Sequence, residues 1–262
     1  MGTGLHIATN VYNDIYDTLQ GTDRINLHRN EFSGGSGVLQ EYPDLLSDMY
    51  RTARFALIGA LAAALLLFLR VEETSRIYLV LLFLFSAFFS KYYTAAPVKL
   101  AYRGLGEVSV WFAFGPMAVL VAAVSQHLGP HPVICAAMPL TGISTLSILL
   151  IGQMIDLDAD RESGKWGVAV RLGNRRAAMI YLGVQFLLCL NIILLSIVVM
   201  KKGGLLLLSL IPYLIILPKI IPLIRKQYDT PEALKKAAGH NVLLHLSFSL
   251  TLTISTLLTL LM

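Results

Sequence analysis

Long apolar runs separated by polar stretches dominate the chain. Seven of them, residues 45–70, 77–97, 108–126, 132–157, 174–200, 205–224 and 240–262, reach the roughly 20 residues a spanning helix needs. They are too long for buried strands and lack the alternation of outer-membrane strands. Residues 1–20 carry only a short apolar stretch, Leu5–Val11, that runs into a polar end. The pattern predicts an all-α, polytopic membrane helical bundle in one domain, residues 1–262, with about seven full transmembrane helices plus an N-terminal half-helix. No repeat or low-complexity linker interrupts it.

Composition narrows the classes. Of 262 residues, 56% are hydrophobic and 14% charged, with a mean hydropathy of +0.68, against about 25% charged in a soluble domain. A soluble enzyme, a nucleic-acid binder and a disordered chain are excluded. The net charge of +5 is distributed by side. Of the 21 Lys and Arg residues, all except Arg70, Arg76, Lys201 and Lys202 lie in or beside the long loops, at 21–44, 98–107, 158–173 and 225–239. The short loops alternate with these. That asymmetry predicts an integral multi-pass protein with cytoplasmic long loops; a bacterial or archaeal cell membrane is the expected setting.

Polar groups at membrane depth are costly and usually face a cavity. His6, Asn10, Asn13 and Asp17 recur at steps of four, three and four, so they share one helix face. Asp14 sits beside that face, and Asp23 follows in Gly21-Thr22-Asp23. A second cluster ends the 132–157 span: Gln153, Asp156 and Asp160 share a face and Asp158 points elsewhere. Carboxylate sets facing one cavity repel unless cations lie between them, and hard oxygen donors suit Mg²⁺ held together with substrate phosphates. Lys91, Lys99, Arg103, Lys165 and Arg171 stand on the same side and suggest a diphosphate clamp. The loop charge bias alone would also place cations there, and solvated helix ends are the competing reading of the carboxylates. His127 and His131 fall on the short-loop side and read as loop residues. Cys135 and Cys189 lie in apolar runs and frame neither a disulfide nor a zinc site.

At these residues the chain resembles the UbiA superfamily of intramembrane prenyltransferases. The superfamily's first motif, Asn-Asp-x-x-Asp with a further Asp downstream, is matched by Asn13, Asp14 and Asp17. Gly21 stands where the further Asp most often falls and Asp23 follows, a variant similar to the 1,4-dihydroxy-2-naphthoate (menaquinone-type) branch. The second motif, Asp-x-x-x-Asp, is matched by Asp156 and Asp160, followed by Arg161, Gly164-Lys165 and Val170-Arg171-Leu172-Gly173. Tyr93-Thr94, Pro97, Tyr102 to Glu107 and Gly34-Gly35-Ser36 also resemble that branch. The segment Asp23 to Arg29 is unlike the Arg-Pro-containing segment of the 4-hydroxybenzoate and chlorophyll branches. Family members usually have nine spans, one and a half of them ahead of the first motif, so the resemblance implies N-terminal truncation.

The resemblance implies Mg²⁺-dependent transfer of a prenyl group from an allylic polyprenyl diphosphate to an aromatic acceptor, foremost 1,4-dihydroxy-2-naphthoate in menaquinone biosynthesis. It carries metal roles to Asn13, Asp14, Asp17, Asp23, Asp156 and Asp160, with Asp17, Asp156 and Asp160 central to catalysis. It carries substrate binding to Tyr93, Lys99, Arg103, Lys165 and Arg171. Asp14 either ligates metal or orients Asp17, and Tyr93 either faces the allylic cation with its ring or is interfacial. The implied partners are the two substrates and membrane lipid, not nucleic acid. Another acceptor, such as 4-hydroxybenzoate or homogentisate, stays open. So does an ion-coupled transporter, whose paired broken helices have a counterpart here only in Pro212, Pro218 and Pro222. A phosphatidyl transferase would want Asp-Gly-x-x-Ala-Arg, which does not occur.

Overall fold

A computed structural model describes residues 1–129 and 131–261. Eight long helices carry the fold: α1 (Gly2–Gln20), α2 (Leu46–Arg70), α3 (Glu73–Tyr92), α4 (Gly106–Ser125), α5 (Pro132–Ile155), α6 (Asn174–Val198), α7 (Ile211–Lys226, entered through a 3-10 stretch at Met200–Leu210) and α8 (Pro231–Leu261). Among the described residues there is no strand, only a bridge between Asn30 and Ser33. Among the described residues, seven helical segments, one along each of α2 to α8 and taking in the 3-10 entry of α7, are long and apolar enough to cross a membrane. Leu66, Leu84, Phe186, Leu187 and Leu214 point outward from them as an apolar girdle suited to lipid.

Two packed halves flank a central space. In one, α1 lies on α2. Ala8, Tyr12 and Ile15 bury one side of α1 against Ala53 and its neighbours, which turns the His6–Asn10–Asn13–Asp17 face the other way. The approach is close: a Cβ on Gly4 would lie 2.7 Å from the carbonyl oxygen of Ala56. Gly4→Leu should therefore cost about 1–3 kcal/mol of stability by overpacking. A melting temperature equal to wild type would show that α1 does not seat on α2 in this way.

The other half is α5 to α8, around Leu150, Ile151, Tyr181, Leu188, Ile192, Ile220, Ile224 and Phe248. Inside it, Asn241 accepts a hydrogen bond from the Tyr181 hydroxyl (2.8 Å) and donates to Ser147 (3.1 Å). These bonds join three helices where no water competes. Helices α4 and α5 meet backbone to backbone, since a Cβ on Gly142 would fall 2.2 Å from the Trp111 carbonyl oxygen. Pro116 sits in a π-helical stretch of α4, Ala113–Met117, and the Phe114 carbonyl accepts from Thr141 of α5.

Several span boundaries differ from the hydropathy reading, two of them for a plain physical reason. Helix α3 stops at Tyr92 rather than 97. Pro97 lacks an N–H and disfavours helix at the residue before it, so the chain turns instead. Helix α8 starts at Pro231 rather than 240. Proline suits a first helical position, and the polar opening turns, with Glu232, Lys235 and Lys236, are invisible to a search for apolar runs. His131 accepts from the Val133 N–H through Nδ1 and caps α5, and His127 is exposed.

Candidate functional site

A cavity of about 840 Å³ opens between α1, α3, α4 and α5 and is closed at one end by the loop after α1. Phe89, Phe114, Met117, Val121, Ile148 and Leu149 form its apolar part. Asn13, Asp17, Asp23, Asp156, Asp160 and Lys165 form its polar end, and His6, Asn10 and Gln153 also line the wall. The helical faces deduced from spacing thus meet across one space.

Local backbone features aim these groups. Helix α1 stops at Gly21, in the left-handed region at φ 87°, and a short helix, Thr22–Ile25, brings Asp23 back beside Asp17. Helix α5 ends with Asp156 as its C-cap, and the chain continues as a second short helix, Leu157–Ser163, carrying Asp160. Gly164, at φ 81°, then reverses the chain, so that the Lys165 N–H donates to the Asp160 carbonyl oxygen at 2.8 Å.

Lys165 is the hub of the polar end. Its Nζ lies 2.7 Å from Asp17 Oδ2 and 3.6 Å from Asp160 Oδ1, bridging the two acidic motifs. The Tyr102 hydroxyl donates to Asp17 Oδ1 at 2.9 Å, and Thr22 bonds the same hydroxyl at 2.8 Å. Asp156 accepts from Asn26 Nδ2 at 2.7 Å through Oδ1 and from the Ser33 hydroxyl through Oδ2. Asp23 accepts from Thr18 at 3.1 Å.

Charge is short of balance here. Burial lifts the Asp160 carboxyl to about 7 and the Asp23 carboxyl to about 6. Burial also raises Asp156, against the hydrogen bonds from Ser33 and Asn26. Burial opposes the charge of Lys165, but Asp17 and Asp160 outweigh it and hold its pKa well above the ordinary lysine value. Among the described residues, one side-chain ammonium, that of Lys165, therefore answers four carboxyls on the wall, Asp17, Asp23, Asp156 and Asp160.

The remaining predicted site residues are placed differently. Asp14 does not line the cavity; its Oδ1 accepts from the Ser36 N–H at 3.2 Å. Tyr93 is on the wall. Lys99, Arg103 and Arg171 are not. Lys99 stands over the Tyr102 ring, 5.3 Å from its centre, and Arg103 donates to the Pro97 carbonyl at 3.0 Å. Arg171 lies 3.6 Å from Glu107, whose same oxygen accepts from Gln153 at 3.1 Å.

Among the described residues no three His, Cys, Asp or Glu side chains already converge as metal ligands. The donor set nevertheless fits a hard divalent ion. Every donor is oxygen, the carboxyls outnumber the cations, and among the described residues buried Asn13 Oδ1 has no hydrogen-bond partner.

Sequence reasoning did not single out Asn26, Ser33 or Tyr102 as site residues. The local signals were the Tyr102 to Glu107 segment and Gly34-Gly35 beside Ser33, which carried the resemblance without a site role. Gly35 has φ 71°, and a Cβ there would lie 3.0 Å from Asp14 Oδ1 and 3.3 Å from Asp23. Glycine lets this loop backbone pass against the acidic end.

The chain belongs to the UbiA prenyltransferase family, whose model matches residues 44–248. That match begins after the first acidic motif and includes the second. The seven long apolar helices make it an integral multi-pass membrane protein. The UbiA prenyltransferase domain-containing protein 1 of Dictyostelium discoideum is 33% identical over 135 residues, 51% of this chain and 39% of that protein. A 1,4-dihydroxy-2-naphthoate octaprenyltransferase of Mycobacterium tuberculosis is 36% identical over 92 residues, 35% of this chain and 32% of that protein. A 2-carboxy-1,4-naphthoquinone phytyltransferase of Synechocystis is 25% identical over 171 residues, 65% of this chain and 52% of that protein. The chain spans about a third to a half of the length of these relatives. No solved structure matches the chain significantly.

Proposed function

We infer that the protein transfers a prenyl group from an allylic polyprenyl diphosphate to an aromatic acceptor, 1,4-dihydroxy-2-naphthoate, with Mg²⁺ as cofactor. The observation that carries this reading is the meeting of two acidic motifs at the polar end of a cavity whose other walls are apolar. Relatives named for naphthoate and naphthoquinone substrates support the acceptor.

Asn13, Asp17, Asp156 and Asp160 would hold Mg²⁺, with Asp23 beside them. The ion supplies positive charge that neutralises the leaving diphosphate. Lys165, the cation already on the wall, adds to that neutralisation, and Tyr102 fixes the Asp17 carboxylate that faces it. Phe89, Phe114, Met117 and Val121 accommodate the prenyl chain and keep water from the allylic carbon. Tyr93 presents a ring near the point where the carbon–oxygen bond breaks. The electron-rich acceptor ring then forms the new carbon–carbon bond. With the naphthoate acceptor, loss of CO₂ from the substituted carbon restores the aromatic ring.

The test incubates the protein in lipid nanodiscs with Mg²⁺, a radiolabelled allylic diphosphate and a panel of acceptors. Prenylated naphthoquinol is the expected product. Product only with 4-hydroxybenzoate or homogentisate would replace the acceptor, and no product with any ring would overturn the reading.

The loop charge bias supports a cytoplasmic face for the polar end of the cavity. Cysteine reporters at 24–41, 161–164 and 227–237 should react with an impermeant label from the cytoplasmic side, and a reporter at Glu72 from the other. Labelling of any of the three long loops from outside would break this topology.

A further inference from the structure

The loop after α1 reaches further than a connection needs to. Asn26 turns back on itself, accepting from the His28 N–H at 3.0 Å through Oδ1, which leaves its Nδ2 to donate to Asp156 at 2.7 Å. A tight turn follows. Asn30 and Ser33 exchange backbone hydrogen bonds at 3.0 and 3.2 Å, and Asn30 Oδ1 accepts from the Phe32 N–H at 2.9 Å. The turn therefore fixes two adjacent side chains in opposite tasks. The Ser33 hydroxyl contacts Asp156 and lies 3.2 Å from the Gly152 carbonyl oxygen. Phe32 lies against Gly239 of α8, where an added Cβ would stand 3.3 Å from the ring. Beside it, Glu31 pairs with Lys235 of α8 at 2.9 Å.

We propose that Asn26 and Ser33 are positioning residues for Asp156, and that the seat of Phe32 on Gly239 holds them there. The proposal rests on the reading of Asp156 as a ligand of the divalent ion. Both Asp156 oxygens receive one neutral hydrogen bond each, from Asn26 and Ser33, and each keeps an acceptor direction free. The carboxylate is thereby fixed in orientation without being neutralised. Outer groups of this kind typically tune metal affinity by about 10–100-fold. The seat on Gly239 makes the position of Asp156 depend on a helix whose described residues contribute nothing to the cavity wall.

Mn²⁺ binding to the full chain in nanodiscs, followed by electron paramagnetic resonance, tests this without any turnover. Asn26→Ala and Ser33→Ala should each weaken Mn²⁺ binding about tenfold, with the metal-free melting temperature near wild type. Ser33→Thr, which keeps the hydroxyl, should restore binding relative to Ser33→Ala. Gly239→Leu forces Phe32 from its seat, and the better helix former offsets the lost packing in part, so it should weaken Mn²⁺ binding about tenfold while the protein stays folded at the assay temperature. Wild-type affinity in both Asn26→Ala and Ser33→Ala overturns the positioning role. Wild-type affinity in Gly239→Leu overturns the seat. A wild-type protein that binds no Mn²⁺ overturns the reading of Asp156 as a ligand, and this proposal with it.

Discussion

Asp17→Ala and Asp156→Ala should each lower prenyl transfer by at least about a hundredfold, the scale of losing one group that stabilises developing charge. The two residues come from different motifs, one on α1 and one at the end of α5, and both face the same space. Asp17 is 3% exposed and holds Lys165 and Tyr102; Asp156 holds the loop through Asn26 and Ser33. Turnover with saturating Mg²⁺ and diphosphate is the measurement, with melting temperature as the control for folding. A well-folded variant that turns over at the wild-type rate would remove its residue from the site. Asp158→Ala is the matched control. Asp158 is exposed and, among the described residues, pairs only with Arg161 at 3.5 Å, so its loss should leave the rate unchanged.

Lys165→Met should have the largest effect on stability. The side chain is 16% exposed and lies between carboxylates that are 5% and 9% exposed. Removing it leaves two buried acids facing each other, a change that typically costs about 3–5 kcal/mol. Methionine keeps the length and apolar stem of the side chain, which confines the loss to charge. Millimolar Mg²⁺ should recover much of that loss in Lys165→Met and change wild type less, because the ion takes over the neutralisation. Melting curves with and without Mg²⁺ decide it. A variant as stable as wild type would show that the acids are already neutral in the folded protein. A deficit indifferent to Mg²⁺ would count against an ion between the two motifs.

The acidic motifs were legible in the sequence because helical spacing is local. His6, Asn10, Asn13 and Asp17 need only a helix to share a face, whereas Gln153, Asp156 and Asp160 straddle the break at Asp156 and Asp160 reaches the same wall from the next short helix. The centre of each span was legible for a similar reason, since twenty apolar residues in a row have few other destinations. The polar start of α8 was not legible, because its first turns bury no lipid-facing surface. The end of α3 was set by Pro97, a single residue within an otherwise apolar stretch.

What the sequence alone determined is therefore the bundle, its spans and the two faces that carry carboxylates. Tertiary structure decided what those faces meet. Lys165 reaches Asp17 across 148 positions of sequence, and Asn26 reaches Asp156 across 130. Lys99, Arg103 and Arg171 carry the same charge as Lys165 and lie on the same side, yet they are off the cavity wall. Composition and periodicity cannot separate these four cations. The separation comes from the reversal at Gly164 and from the packing of α1 against α2, which together fix where Lys165 and Asp17 meet. Side-chain pairing at that range depends on the path of the whole backbone, and no local pattern encodes it.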